Sequence, residues 1–363
     1  MSWFMDLSDT STAGEVGNWE PVVIPGAEIE SEAARLGDLP RPTAGRRESL
    51  IVHPGASAPG YGLSPGIRVT LSVLLPGEAT EPIRHNSTQV SFCISGGGAA
   101  VVGGKRIEFG RYDVWNHPAW TTYHYVNDTE QPQLRLTYSN AALLDQLQVH
   151  LIEENPAEEV APDLSIELAD LDPTKLSPFG TFQLTNEGAW LMPYELLISP
   201  PDVESSALHW PWEQVKQKLD QLTSLGDTYR GRRLYLLYNP VTGRTNGTTP
   251  NFFATMTVRP PKIIDRPHRH VSAAINYYFH GHGHSLVAGK RYDWEAGDLM
   301  FSAPGWAVHH HASGPDDQVY ELTVQDQPFH LALESLLWQE DLKKPPRLLG
   351  AQPGFRTDRV APC

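Results

Sequence analysis

The feature that most constrains the fold of this 363-residue chain is an internal repeat. "GRRESLIVHP" (45–54) recurs as "GRRLYLLYNP" (231–240), and "HPAW" (117–120) recurs as "APGW" (303–306). The match of His85 to His270 and of Gly45 to Gly231 gives an offset of 185 or 186 residues. A constant offset across separated motifs predicts two copies of one domain.

Each copy has the pattern of short β-strands. Residues 68–74 ("RVTLSVL") and 253–258 ("FATMTV") alternate with a period of two and are rich in β-branched side chains. Gly-rich turns separate such segments, which predicts an all-β sandwich or barrel for each copy. We expect only a few short helices, at 141–149, about 212–222 and 329–338.

The repeat also predicts the domain boundaries. Two copies, at 45–150 and 231–340, are joined by an acidic, Pro-rich linker with one helix at 151–230. An N-terminal arm, 1–44, has no counterpart in the second copy, and a C-terminal tail covers 341–363.

Composition excludes several functions. A net charge of −15 disfavours nucleic acid or an anionic membrane as a partner, because both require clustered Lys and Arg. No segment approaches the ~20 continuous apolar residues of a membrane span. The opening "MSWFMDLSDTSTAGE" lacks the features of a secretory signal, and Cys93 and Cys363 form no disulfide framework. We therefore expect a cytoplasmic protein.

Three histidines of the second copy form a candidate metal site. His268 and His270 flank one residue of a predicted strand, so their side chains point to the same face. His309, in "PGWAVHHH", follows one strand later and can lie beside them in a barrel. Three imidazoles with open positions suit Fe(II), Mn(II), Ni(II) or Zn(II). The alternative is a pair of solvated or core histidines, and the PxWxxH motif in a duplicated β domain favours the metal.

Other histidines have different expected roles. His280, His282 and His284 alternate across a Gly-rich turn, which favours a solvent-facing cluster. His310 is expected to point into the barrel wall. His311 shares the face of His309, so it is a candidate hydrogen-bonding or acid–base group.

The first copy has lost most of this motif. Ile83 replaces His268 and Tyr123 replaces His309, whereas His85 corresponds to His270. We expect the first copy to be structural. The alternative is a weaker site built from His85, Tyr123 and His124.

The motif "PHRH", a Gly-Asp turn and PxWxxH in a repeated β domain resemble a cupin, and the whole chain resembles a bicupin. It is similar in particular to the gentisate 1,2-dioxygenase family, which includes salicylate 1,2-dioxygenases. "GRRLYLLYNPVTG", "TTPNFFATMTV" and "DQPFHLALE" occur in the family's order. The resemblance is close over residues 231–340 and loose over the first copy.

This resemblance implies two double-stranded β-helix (jelly-roll) barrels and one Fe(II) per chain, in the C-terminal cupin. Mn or another first-row metal is a less favoured occupant. The family binds iron with three histidines and no glutamate, and here Ala274 and Ile275 stand where other cupins carry that glutamate. In the family the working iron is usually in the N-terminal cupin, so this chain departs from the pattern.

The resemblance also assigns site residues. His268, His270 and His309 match the iron ligands, and His311 matches a histidine near the substrate. Arg232 matches an arginine that binds the substrate carboxylate, although a surface charge is an equal alternative. The remaining candidate substrate-binding residues are Phe253, which core packing explains equally well, Trp306, and Asn276, which replaces a second carboxylate-binding arginine.

The implied function is cleavage of a hydroxylated aromatic acid or related phenol, with both atoms of O2 inserted. His311 would accept the phenol proton or stabilise reduced oxygen. A decarboxylase, a diketone-cleaving oxygenase and a non-catalytic small-molecule binder are the alternatives. The partners are a small aromatic substrate, O2 and further copies of the chain, in a homotetramer or homodimer.

Overall fold

The computed structural model describes residues 19–157, 182–184, 189–191, 205–226 and 232–350. Both repeats belong to one compact unit, within Met1–Glu154 and Ser206–Cys363, and Asn155–Ser205 is a separate unit. In the latter, Phe182–Gln183 and Trp190–Leu191 form an antiparallel pair. Residues 1–18, 158–181, 185–188, 192–204, 227–231 and 351–363 lie outside the described residues, and they include most of the predicted linker and of the predicted tail.

The first repeat is a sandwich of two antiparallel sheets. Its large sheet has the strand order His209–Trp210, Val114–His117, Gln89–Ser95, Gln133–Ser139, Arg68–Leu74, Arg47–Ile51. Its small sheet has the order Ile152–Glu154, Ile83–His85, Tyr123–Val126, Gly98–Val102, Lys105–Phe109.

The second repeat has the same arrangement. Its large sheet has the order Val22–Ile24, Leu299–Ala303, Ala274–His280, Val319–Gln325, Phe253–Arg259, Leu234–Leu236. Two smaller sheets oppose it, with the orders Lys290–Glu295, His282–Val287, His309–Ser313 and Arg269–His270, Leu336–Gln339, Arg347–Leu349. The all-β prediction is confirmed, and the fold is a bicupin of two jelly rolls.

Short helices accompany the sheets, at Gly26–Asp38, Ala141–Gln146, Trp212–Thr223 and Gln327–Ala332, with a 3-10 segment at Pro240–Thr245. The helix predicted at 329–338 ends early, because the chain turns at Glu334 with a φ of 52°. Residues Leu336–Gln339 then form a strand. None of the helices in the described ranges is long and apolar enough to cross a bilayer.

The two repeats exchange their first elements. Val22–Ile24 of the N-terminal arm pairs with the second repeat, whereas His209–Trp210 pairs with the first. Asp298 accepts a hydrogen bond from the Gly26 amide at 2.8 Å, and Asp113 accepts the matching bond from Trp212 at 2.7 Å. The described part of the arm therefore has a structural counterpart in residues 209–223, although the sequence predicts none. Each repeat is preceded by a strand that pairs with the other repeat and by a helix that packs on its own repeat.

The large sheets of the two repeats share one apolar core. Phe92 of the first contacts Tyr277 and Phe279 of the second, with ring centroids 5.5 and 5.6 Å apart. Because strand side chains alternate, Met256 enters this core while Thr255 faces the interior of the second jelly roll. Burial of such large apolar side chains contributes about 1.5–3 kcal/mol each. One face of each large sheet packs in the shared apolar core. The opposite face of the second repeat's large sheet carries polar side chains, and these line the interior of that jelly roll.

Candidate metal centre

Backbone pairing brings His268, His270 and His309 together. His268 and His309 form an isolated antiparallel bridge, and His270 is paired with Trp338 of the neighbouring strand. His268 and His270 are two residues apart in extended backbone, so both point inward. Their rings lie 4.5 Å (His268–His309), 4.8 Å (His270–His309) and 5.5 Å (His268–His270) apart, between centroids.

The three imidazoles offer nitrogen atoms to one point. One nitrogen from each ring lies within 4.8 Å of the others, and no second cluster of three such groups occurs among the described residues. Each Nδ1 faces a backbone carbonyl, those of Arg266 at 3.1 Å, Ser272 at 2.9 Å and Ala307 at 3.0 Å. A carbonyl only accepts, so each Nδ1 carries the proton and each Nε2 keeps its lone pair.

Burial keeps the triad uncharged. Desolvation, with a smaller contribution from Arg232, lowers the pKa of His268 to about 4. Desolvation, followed by the charge of His268, lowers the pKa of His309 to about 3. His270 is 0 % exposed, and its Nε2 is buried without a hydrogen-bond partner. A buried lone pair with no donor fits a metal ligand, because it otherwise bears an uncompensated desolvation cost.

The triad opens on a cavity of about 90 Å³ inside the second jelly roll. Its lining is mostly polar and includes Arg232, Arg233, Thr255, Thr257, Arg259, Asp265, His268, Asn276, His309, His311, Glu321, Thr323 and Gln325. The wall of this cavity offers hydrogen-bonding groups on several sides.

His311 reaches this cavity from the strand that carries His309. The ring is 7 % exposed, and its Nδ1 lies 2.7 Å from the hydroxyl of Ser285. Desolvation, and then the charge of Arg259, lowers the pKa of His311 well below its usual value. The imidazole is therefore neutral at physiological pH.

Two of the predicted substrate-binding residues line the cavity. Arg232 donates to both carboxylate oxygens of Glu340, at 2.9 and 2.8 Å, at the edge of the site. Asn276 is buried, donates to the Thr323 hydroxyl at 2.9 Å and accepts from Ser302 at 2.5 Å. Asn276 therefore presents an uncharged polar group at this position of the wall.

The structure places Phe253 and Trp306 elsewhere, and neither belongs to the cavity lining. Phe253 is half-buried at the beginning of its strand, two residues before Thr255. Trp306 packs under the guanidinium of Arg269, 4.5 Å from its ring centroid.

A buried ion network forms one wall. Arg259 contacts Glu321 at 2.6 Å and Asp265 at 2.8 Å. Burial opposes the charge of Arg259, but Asp265 and Glu321 outweigh it and raise the pKa of the guanidinium. This network was not predicted, because Glu321 lies 62 residues from Arg259 in sequence.

Trp338 is a second site residue that the sequence did not reveal. Its ring stacks on His270 at 4.9 Å between centroids, with an interplanar angle of 18°. Its indole N–H donates to Glu340 at 3.2 Å. The prediction of a helix over 329–338 hid this residue, because only a strand turns it toward the triad.

Comparison with known proteins finds relatives in sequence and in fold. No protein-family model matches the chain. It is 25% identical over 303 residues to 5-aminosalicylate 1,2-dioxygenase of Comamonas sp, covering 81% of this chain and 74% of that protein. It is 26% identical over 322 residues to gentisate 1,2-dioxygenase of Streptomyces sp, covering 85% and 82%. The structure of salicylate 1,2-dioxygenase from Pseudaminobacter salicylatoxidans shares the fold, with a TM-score of 0.71 and 20% identity over 92% of this chain and 91% of that one.

The chain is thus similar in sequence to gentisate and aminosalicylate 1,2-dioxygenases, and it shares the bicupin fold of salicylate 1,2-dioxygenase.

In the N-terminal cupin, the side chains at the position of the histidine triad hydrogen-bond to one another. The hydroxyl of Tyr123, at the place of His309, lies 3.0 Å from Nε2 of His85, and Gln89 lies 3.1 Å from the same nitrogen. Ile83 offers no ligand atom, and among the described residues His124 belongs to no cluster of three potential His, Cys, Asp or Glu ligands. Desolvation, followed by the charge of His150, lowers the pKa of His85 to about 4.

The remaining histidines of the C-terminal cupin lie outside the triad. His280 is exposed and hydrogen-bonds to the Gln318 carbonyl at 2.7 Å. His282 lies 4.0 Å from Asp317. His284 is partly exposed, as is His310 next to the ligand His309.

Proposed function

We propose that this bicupin is a ring-cleaving dioxygenase that holds one Fe(II) in its C-terminal cupin and acts on a hydroxylated aromatic acid or a related phenol. The observation that carries the proposal is the convergence of three buried, neutral imidazoles on one point beside a cavity. Two relatives are named 5-aminosalicylate 1,2-dioxygenase and gentisate 1,2-dioxygenase, and these names support the same reaction class for this chain.

The donor set supports a first-row divalent metal. Three neutral nitrogen ligands leave open positions and leave the charge of the metal uncompensated. When bound, Fe(II) supplies a Lewis-acidic redox centre through which electron density passes from the aromatic ring to O2. The protein itself positions the metal and the substrate, places charged groups beside them and excludes water.

The cavity wall supports a substrate with a single carboxylate. Arg232 is near enough to the triad for its charge to lower the pKa of His268 and His309, and a guanidinium grips a carboxylate through paired hydrogen bonds. Across the cavity, Asn276 and Thr323 offer neutral polar groups. We infer that the substrate carboxylate lies toward Arg232 and that the ring presents an uncharged polar or apolar edge to Asn276.

Metal analysis combined with oxygen consumption tests the proposal. Protein prepared without oxygen and loaded with Fe(II) is expected to hold one iron per chain and to consume O2 with salicylate-, gentisate- or hydroxynaphthoate-like compounds. Manganese with CO2 release and no O2 uptake would instead indicate a decarboxylase. Protein that binds aromatic acids without any metal would be a non-catalytic binder.

We also propose that the chain forms a homo-oligomer, a dimer or a tetramer, as the family resemblance implies. Size-exclusion chromatography with light scattering measures this directly. A monomeric mass at micromolar concentration would contradict it.

A further inference from the structure

His311 differs from the three metal ligands in the group that its Nδ1 faces. The Nδ1 of each candidate ligand faces a carbonyl oxygen, which only accepts hydrogen bonds. That of His270 also lies 2.9 Å from the Ser272 hydroxyl, which donates to Gln325. The Nδ1 of His311 instead lies 2.7 Å from the Ser285 hydroxyl, which can donate or accept. The tautomer of His311 therefore depends on what else Ser285 contacts.

The contact with Trp294 determines whether Ser285 donates or accepts the hydrogen bond to His311. The indole N–H of Trp294 donates to the Ser285 oxygen at 2.9 Å. Since an indole N–H cannot accept, the single proton of Ser285 must go to another group. The 2.7 Å contact to His311 is in the range of hydroxyl donors and is shorter than the usual 2.9–3.0 Å of N–H donors. This geometry favours donation from Ser285 to the Nδ1 of His311.

The relay is rigid. Ser285 is 0 % exposed, and Trp294 stacks on Tyr278 with centroids 3.7 Å apart and an interplanar angle of 4°. The Tyr278 hydroxyl donates toward the sulfur of Met300 at 4.0 Å. Tyr278 also interacts with Ser285, so it is a competing acceptor for the Ser285 proton.

The N-terminal cupin provides an internal comparison. Ala100 pairs with Tyr125 there in the register in which Ser285 pairs with His311. Phe109 occupies the place of Trp294, at the same offset of 185 residues. The cupin without the histidine triad thus lacks all three members of the relay, which ties the relay to the working site rather than to the fold.

We propose that Ser285 and Trp294 are positioning residues that fix His311 as the tautomer protonated at Nε2, so that it presents a hydrogen-bond donor to the cavity. Nε2 has no hydrogen-bond partner among the described residues, and the ring lines the cavity. The catalytic consequence rests on the proposed function. His311 donates to an anionic oxygen of the substrate or of reduced O2. Of the two roles that the resemblance implies, this favours stabilisation of reduced oxygen over acceptance of the phenol proton.

Nitrogen-15 NMR of metal-free protein labelled in its histidine rings tests the tautomer without any activity. Long-range correlations between ring protons and nitrogens distinguish the two tautomers, and His311→Gln identifies the signal. Wild type and Tyr278→Phe are expected to show Nε2–H, because Tyr278 is not the acceptor. Ser285→Ala is expected to lose this preference, whereas Ser285→Thr, which keeps the hydroxyl, retains it. An Nδ1–H signal in wild type, or an unchanged signal in folded Ser285→Ala, would overturn the proposal.

Kinetics of iron-loaded protein provide the second readout. Ser285→Ala is expected to lower kcat by roughly 10- to 100-fold with little change in KM, and Ser285→Thr to restore most of it. Equal kcat values in wild type and Ser285→Ala would refute the positioning role. If wild type consumes no O2 with any aromatic acid, the proposed function fails, and the NMR result still decides the tautomer.

Discussion

His268 and His309 are joined by two backbone hydrogen bonds, from the His268 amide to the His309 carbonyl at 3.1 Å and from the His309 amide to the His268 carbonyl at 2.9 Å. The chain itself therefore holds two of the three ligands side by side. Because the third, His270, is anchored to its neighbouring strand at Trp338, the whole triad is formed by strand pairing. A metal bound to these three imidazoles would therefore occupy a site that the fold has already built.

A preformed, buried triad predicts a specific pH dependence for metal-free protein. The pKa of His268 is about 4 and that of His309 is about 3 in the folded protein, against an ordinary value of 6.5. The unfolded chain binds more protons below 6.5, so stability is complete above that pH and falls as the pH decreases toward 4. Each histidine is expected to remove about 1.4 kcal/mol between about pH 7.5 and 5.5. Urea unfolding of chelator-treated protein measures this loss, and His268→Gln should reduce it by one histidine's share. An identical pH dependence in the variant would contradict the burial argument.

The two cupins differ in their predicted response to loss of a histidine. His268→Ala removes a ligand, so it is expected to abolish metal retention while the fold survives. His85→Ala removes the hydrogen bonds to Tyr123, Gln89 and Ser87 but none of the three triad nitrogens, and metal content is expected to be unchanged. Elemental analysis with circular dichroism compares the pair. Metal loss in His85→Ala alone would place the working site in the N-terminal cupin.

Arg232 and Glu340 predict opposite effects on substrate affinity. Arg232→Ala removes a charged hydrogen bond of about 1.5–3 kcal/mol, so KM for a carboxylated substrate is expected to increase roughly 10- to 150-fold. Glu340→Gln removes a competing carboxylate and is expected to lower KM by up to about fivefold, because an exposed ion pair is worth at most about 1 kcal/mol. Uncarboxylated analogues are the control, since neither variant should alter their KM. Equal changes for both kinds of analogue would remove Arg232 from carboxylate binding.

Disruption of the buried pair of Arg259 and Glu321 is expected to lower the free energy of unfolding more than disruption of an exposed ion pair. Glu321→Gln leaves a buried guanidinium with only Asp265 to balance it, and the free energy of unfolding is expected to decrease by about 3 kcal/mol. Glu108→Gln, in the exposed pair with Arg106, is the matched control and is expected to have little effect. Urea unfolding measures both. Similar losses in the two variants would mean that burial of the pair does not matter.

Sequence reasoning predicted the features that have a local pattern. The repeat offset, the alternation of the strands and the two-residue spacing of His268 and His270 predicted a duplicated all-β fold with a candidate triad. The triad needs only one pairing across the fold, that of His268 with His309, and the motif PxWxxH indicated where that partner lies. Local periodicity and one motif therefore sufficed for the ligand set.

The remaining features depend on contacts that no local pattern records. The arm seemed unrelated to the second repeat, because the strands Val22–Ile24 and His209–Trp210 match in structure and hardly in sequence. Trp338 was assigned to a helix, since its strand is short and follows a turn at Glu334. The donor role of His311 depends on two side chains, Ser285 and Trp294, that lie 26 and 17 positions before it and meet it only in the folded sheet.

Anomalous diffraction at the iron edge, from crystals of iron-loaded protein, tests the central claim most directly. We expect one anomalous peak per chain, within about 2.0–2.2 Å of the Nε2 atoms of His268, His270 and His309, the range for imidazole bound to a first-row divalent ion. A peak beside His85 and Tyr123, a peak at the surface histidines His282 and His284, or no peak in protein that consumes O2 would contradict it.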